Sequence, residues 1–267
     1  MAGGVDWFDP SDDVVLRPEV DRARLWEKRH GTERIDVAPS VVFANDGHGR
    51  LFGAVCRELD RLAEPVRDLR DRGYCHYRTP GAGFVTAYRA PDPAPYAAAT
   101  LEHLVSAGAR TVLFLNGTGS LREDVPVGSV VLPGELVREE GTSFHYAPAE
   151  VTLRTDAGLN ARLRAVASSL GVSLVAGAKH WTTDAIYRET FGKVEHHLEG
   201  GVVSVEMELS ALSGLAHHRG RDLSALLVVT DVASRSHTWD GTCTTEFRRG
   251  VEQAARVAAR VFLDANP

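Results

Sequence analysis

Apolar residues in this chain come in short unbroken runs separated by longer stretches with helical spacing. Ser40-Val41-Val42-Phe43-Ala44, Thr79–Ala87, Thr111–Leu115, Val127–Leu132, Ser173–Gly177, Val202–Val205 and Ala225–Thr230 read as strands. Between them, helices are expected over Gly49–Arg67, Ala94–Ala107, Asn160–Leu170, Glu206–His218 and Thr245–Leu263. Gly108 and Gly171 stand where a helix would stop, since glycine accepts the left-handed backbone of a C-terminal cap. Strands that are apolar throughout are buried on both faces, and their alternation with helices indicates a covered sheet. The expected class is α/β, a single domain with a central mixed β-sheet flanked by helices. Residues 1–38 are polar and charged, with one short helix over Arg17–Arg29, and read as a peripheral N-terminal segment before the main domain at 39–267. Pro91–Pro95 and the Pro80 region are too short to be linkers.

Composition narrows the partners. The 267 residues are 43% apolar and 25% charged, values of a globular protein able to bury a core unaided. A formal net charge of −6 argues against nucleic acid or an acidic membrane surface, which attract positive fields. No apolar run approaches the roughly 18 residues of a membrane span. The acidic N-terminus lacks the basic and apolar regions of a secretory signal, and three widely spaced cysteines (Cys56, Cys75, Cys243) suit a reducing compartment. A cytoplasmic location is the expectation.

Common catalytic motifs are missing. Asn116-Gly117-Thr118-Gly119-Ser120 has no lysine for a phosphate-binding P-loop and no third glycine for a dinucleotide fingerprint. It reads as either a tight turn or a backbone N–H cradle for a small anion or sugar. His196-His197 and His217-His218 are adjacent pairs that do not share a helix face, and no HExxH or CxxC occurs, so no metal is expected. There is no GxSxG elbow. Of two methionines, the only internal one is Met207, flanked by Glu206 and Glu208.

Three segments are more specific together than apart. The first runs from Ala109-Arg110-Thr111-Val112-Leu113-Phe114-Leu115-Asn116-Gly117-Thr118-Gly119 through Val127-Gly128-Ser129-Val130-Val131-Leu132-Pro133 to Arg138-Glu139-Glu140-Gly141-Thr142-Ser143-Phe144-His145-Tyr146-Ala147-Pro148. The second is Thr182-Thr183-Asp184-Ala185-Ile186-Tyr187-Arg188-Glu189-Thr190; the third is Val205-Glu206-Met207-Glu208, with Val229-Thr230-Asp231 some twenty residues on. In this order they resemble the nucleoside phosphorylase superfamily, which includes uridine phosphorylases, hexamer-type purine nucleoside phosphorylases and methylthioadenosine nucleosidases. The resemblance covers about Pro91 to the C-terminus; residues 1–90 match poorly. It implies cleavage of the N-glycosidic bond of a ribonucleoside. Glu208 is then the ribose carboxylate, Met207 the side chain against sugar and base, and Asp231 the acid of the purine enzymes. Gly117, Thr118 and Gly119 border sugar and phosphate, and Ile186 and Tyr187 lie beside the base. A homo-oligomer, a dimer or a trimer of dimers, is implied as well.

The chemistry suits these residue types. The bond breaks through an oxocarbenium-like state, so the sugar needs hydroxyl acceptors and negative charge, and the leaving base needs a proton. An ionised carboxylate at Glu208 can accept from two hydroxyls. A polarizable thioether at Met207 packs on sugar and base at once. Asp231 at the end of an apolar strand can act as general acid to a purine. Glu206 either helps the ribose or holds the neighbours of Glu208. Arg235 and His237 can pair with Asp231 or the base.

One departure concerns the acceptor. Where the family has a phosphate arginine before the glycines, this chain has Phe114. Arg50 in Ala44-Asn45-Asp46-Gly47-His48-Gly49-Arg50, and Arg89, are the substitutes on offer, with Gly117 and Gly119 supplying N–H groups. The expected reaction is phosphorolysis of a purine ribonucleoside, with phosphate as co-substrate and no cofactor. A phosphate-independent nucleosidase is the second reading, and a non-catalytic nucleoside-binding protein the third.

Overall fold

The computed structural model describes residues 7–32, 34–45, 51–233 and 241–263; Arg50, Arg235 and His237 lie outside them. In chain order the elements are α1 (Pro18–His30), β1 (Ser40–Asn45), α2 (Leu51–Asp60), β2 (Glu64–Leu69), β3 (Tyr74–Arg78), β4 (Phe84–Ala90), α3 (Ala94–Ser106), β5 (Thr111–Ser120), β6 (Val130–Glu139) and α4 (Ala157–Ser169). Then follow β7 (Leu174–Thr183), α5 (Phe191–Glu199), β8 (Val202–Glu206), α6 (Leu209–His218), β9 (Asp222–Val232) and α7 (Thr245–Val261).

The strands form one mixed sheet in the order β2-β3-β4-β1-β5-β8-β7-β6-β9, and β9 also pairs with β5. Five strands, β5, β8, β7, β6 and β9, therefore close into a ring, with β1 to β4 extending from β5. One edge of β5 pairs with β9 along its whole length. The other is divided: residues 111–115 pair with β1, and Gly119 and Ser120 pair with β8. Gly119 faces both Val205 and Asp231, Thr182 faces Glu206, and Glu139 faces Thr183. The C-terminal ends of all five ring strands thus meet at one corner.

Two apolar layers cover the sheet. α2, α4 and α7 pack on one face through Phe52, Leu163, Phe247 and Val257; α1, α3 and α6 pack on the other through Trp26, Leu101, Leu212 and Leu215. From the N-terminal segment, Trp26 and Ile35 enter this second core.

Several boundaries differ from the sequence expectation. The helix expected to reach Arg67 ends at Asp60, and the chain turns to enter a strand at Glu64, where Pro65 could not sit inside a helix. The following β2–β3 hairpin was not expected: β2 is a charged, largely exposed edge strand without an alternating apolar pattern. The strand expected over Thr79–Ala87 starts at Phe84, after a tight turn in which Thr79 N–H bonds Gly83 O at 2.9 Å. α5 was not expected either; Thr190 caps it, its Oγ1 accepting from Lys193 N–H at 3.4 Å. Asn116–Ser120 is no turn: it continues β5, with β9 alongside. α6 starts at Leu209 rather than Glu206, because Glu206 is the last residue of β8.

Candidate active site

The corner where the ring strands end gathers Glu206, Met207 and Glu208 from the β8–α6 junction, Asn116 to Gly119 from β5, and Asp231 from β9. Gly119 leaves room here for both neighbours. A Cβ on it would lie 3.3 Å from Val205 Cγ1, a tight approach, and 3.5 Å from Asp231 Oδ2, in ordinary contact with the carboxylate. A register shift between Thr118 and Gly119 opposite β9 places Asp231 at this point. Thr230 Oγ1 donates to Asp231 Oδ1.

Glu208 is only 3% exposed. Asn116 Nδ2 donates to its Oε2 at 2.8 Å. Burial, reinforced by the nearby Glu206 and Asp92 carboxylates, pushes the Glu208 carboxyl up to about 9. The free protein therefore holds a proton on Glu208 at neutral pH, in contrast to the ionised carboxylate expected from sequence. The expectation overlooked Asp92, whose loop Asn45 holds by donating to Asp92 Oδ1.

Glu206 behaves oppositely. Burial alone would raise it, but the hydrogen bond and charge of His180, the Thr182 hydroxyl and the Leu209 N–H hold it below the usual carboxylate range. Its two oxygens accept from His180 Nε2 (3.1 Å), Thr182 Oγ1 (2.7 Å), Glu208 N–H (2.7 Å) and Leu209 N–H (2.9 and 3.0 Å). Those donors occupy both of its oxygens and tie Glu206 to the start of α6, the second of the two roles the sequence left open.

Other expected residues are placed as follows. Met207 is half-buried between the two glutamates. Thr118 Oγ1 donates to Val205 O at 2.7 Å, joining β5 to β8. Gly117 N–H bonds the side chain of Asn116 at 2.8 Å, which withdraws it from an anion cradle. Ile186 and Tyr187 stand on a short 3₁₀ turn and are 50% and 96% exposed, so in the single chain Tyr187 walls no cleft. Arg89 lies with its guanidinium 5.2 Å from the Phe52 ring and donates to Arg70 O at 3.4 Å. Phe114 is fully buried in the core beside Phe43.

Sequence reasoning missed Glu189. It follows the exposed Tyr187-Arg188 pair but is itself half-buried. Burial, then the charges of Asp231 and Glu139, raise its carboxyl to about 7, against the opposing pull of Lys193. Lys193 is bonded to Glu139, and His197 Nε2 lies 3.6 Å from the same carboxylate. Its only sequence trace is an acid two residues beyond Tyr187. Asp184 Oδ2 accepts from Gly141 N–H at 2.9 Å, tying the loops after β6 and β7 together. Among the described residues no His, Cys, Asp and Glu side chains gather as a metal site. A separate cavity of about 790 Å³ lies under the N-terminal segment, between Trp7, Trp26, Tyr96 and His218; Glu208 and Asp231 do not line it.

Comparison with known proteins follows this geometry. The model of the phosphorylase superfamily matches residues 69–265, reaching further upstream than the sequence resemblance. The uridine phosphorylase of Escherichia coli (strain K12) is 28% identical over 156 residues, covering 53% of this chain and 60% of that enzyme. A guanosine phosphorylase of Halorubrum lacusprofundi is 28% identical over 135 residues, covering 51% of this chain and 56% of that one. The match thus spans about 60% of the length of these relatives. Among solved structures, the purine nucleoside phosphorylase of Toxoplasma gondii in complex with immucillin-H superposes with a TM-score of 0.72 at 19% identity, covering 85% of this chain and 90% of that one, a likeness of fold. With three quarters of its length matched by the family model, this chain belongs to the phosphorylase superfamily.

Proposed function

We propose that this protein cleaves the N-glycosidic bond of a purine ribonucleoside by phosphorolysis, giving free base and ribose 1-phosphate. Phosphate is the co-substrate and no cofactor takes part. The observation that carries this reading is the Asp231 carboxylate over Gly119, one strand away from Glu208 and Met207. The sugar packs on Met207 and its hydroxyls meet Glu208. As the C1′–N bond breaks, its electron pair leaves with the base, which takes a proton at N7 from Asp231 in its acid form, and phosphate bonds C1′; Glu208, having released its proton to solvent as the sugar binds, offsets the cationic sugar. Glu189, with a carboxyl near 7 beside Asp231, supplies a second proton-bearing group on the base side. The guanosine phosphorylase relative supports a purine, whereas the uridine phosphorylases support a pyrimidine.

Phe114 favours a second reading, hydrolysis. A core phenylalanine replaces the expected phosphate arginine, and Asp92 and Glu208 put acid at that strand end. Incubating inosine, guanosine, adenosine and uridine with and without phosphate separates the readings. Base release that requires phosphate and yields ribose 1-phosphate supports phosphorolysis; release that ignores phosphate overturns it. The protein is further proposed to work as a homo-oligomer, which would cover the exposed Val15, Leu16, Val20 and Tyr187. A monomer by light scattering refutes that.

A further inference from the structure

His180 is a fully buried histidine with no part in the steps above. Its ring stands between two residues of β8. Nδ1 is 2.8 Å from Ser204 Oγ, and Nε2 is 3.1 Å from Glu206 Oε1. The parallel pairing of β7 and β8 sets this contact, with His180 opposite Ser204 and Thr182 opposite Glu206. Glu206 accepts from the ring, the Thr182 hydroxyl and the N–H groups of Glu208 and Leu209, and its carboxylate also meets the Glu208 carboxyl. So many donors on one carboxyl favour its charged form over that of a neighbour with fewer. An acceptor-only oxygen at Nε2 in turn requires hydrogen on Nε2.

The next carboxyl along the chain is poorer in donors. Glu208 has the Asn116 amide, while the Glu206 and Asp92 carboxylates face it. The other groups packed around the start of α6 are committed elsewhere. Thr182 Oγ1 accepts from Ser210 N–H, Glu140 accepts from Ser210 Oγ and Ser143 N–H, and Arg138 donates to Ser143 Oγ and to the carbonyls of Ala147, Pro148 and Val151. Of two neighbouring buried carboxyls, the one with more donors ionises first and leaves the proton to the other.

We propose that His180 is a positioning residue for the sugar carboxyl: by donating to Glu206 it keeps that group ionised on the amides of α6 and so leaves the proton on Glu208. The proposal rests on Glu208 being the sugar ligand for its catalytic consequence, but its electrostatic core does not. Two polar variants separate the contacts. In His180→Gln the side-chain amide reaches the place of Nε2 and still donates to Glu206. In His180→Asn the amide reaches only the place of Nδ1, keeping Ser204 and losing Glu206.

The test is a carboxyl-carbon NMR titration of the full chain labelled at glutamate, with thermal melting to confirm folding and kcat/KM against pH alongside. In His180→Asn the Glu208 titration moves down by about one pH unit or more, because Glu206 no longer holds its charge as firmly. In His180→Gln it stays close to the wild type. The kcat/KM limb that follows Glu208 moves with it. A folded His180→Asn protein whose Glu208 titrates as in the wild type overturns the proposal, as does a His180→Gln protein that shifts as far as the Asn variant. A wild-type chain that cleaves no nucleoside refutes the proposed function instead, and the titration still decides the role of His180.

Discussion

Glu208→Gln is expected to stabilise this protein while inactivating it. Glutamine has the shape of the protonated side chain; its carbonyl can accept from Asn116 and its amide can donate where the acid proton does. The wild-type group ordinarily titrates at 4.5 and is pushed up to about 9 in the folded chain. Between these values the unfolded chain is ionised and the folded chain is protonated, so the folded state binds the extra proton and stability falls as pH rises. Each pH unit above 4.5 costs about 1.4 kcal/mol, so by pH 7 the wild type has lost about 3 kcal/mol that the glutamine variant keeps. A gain of about 2 to 3 kcal/mol raises Tm by roughly 4–10 °C for a chain of this size. The assay is thermal unfolding of both proteins across pH, with nucleoside cleavage measured at each point. The Tm gap should be small below pH 4.5, widen through neutrality and level off above about pH 9. Cleavage should fall by about 100-fold or more, since a neutral amide cannot offset the cationic sugar. A variant less stable than the wild type at neutral pH, or a gap that does not grow with pH, would refute the placement of the proton on Glu208.

Three further outcomes follow from the same corner. Asp231→Asn should lower kcat/KM on purine nucleosides by about 10²- to 10⁴-fold with little change in melting, because it removes a proton donor and leaves the shape. Met207→Ala should raise KM several-fold and leave Tm nearly unchanged, since the side chain is half-buried; a large loss of stability with normal KM would assign it to the core instead. Glu189→Gln should remove from the kcat/KM profile a limb near pH 7; an unaltered profile would place that ionisation elsewhere.

What the sequence disclosed was local. The apolar runs of β1, β5, β8 and β9 and the periodic helices α3, α4 and α7 are stretches whose burial is written in their own composition. Met207 between two glutamates stood out in the sequence, and those residues lie at the β8–α6 junction. What it withheld was long-range or edge-bound. β2 carries Glu64, Arg67 and Asp68 on a solvent edge, where nothing enforces alternation. Asn116–Ser120 resembles a turn until β9 lies alongside it. The different fates of Glu206 and Glu208 depend on His180, Asn116 and Asp92, which come from three other elements and meet only after the ring closes.

The divided edge of β5 has a mechanical consequence. In the proposed reaction the sugar end of the site hangs from β8 and the base end from β9, and the strands carrying both pair with Gly119 of a single strand. β5 acts as a ruler for the reaction: sliding it by one residue against either neighbour would alter the span between Glu208 and Asp231 while leaving both side chains intact.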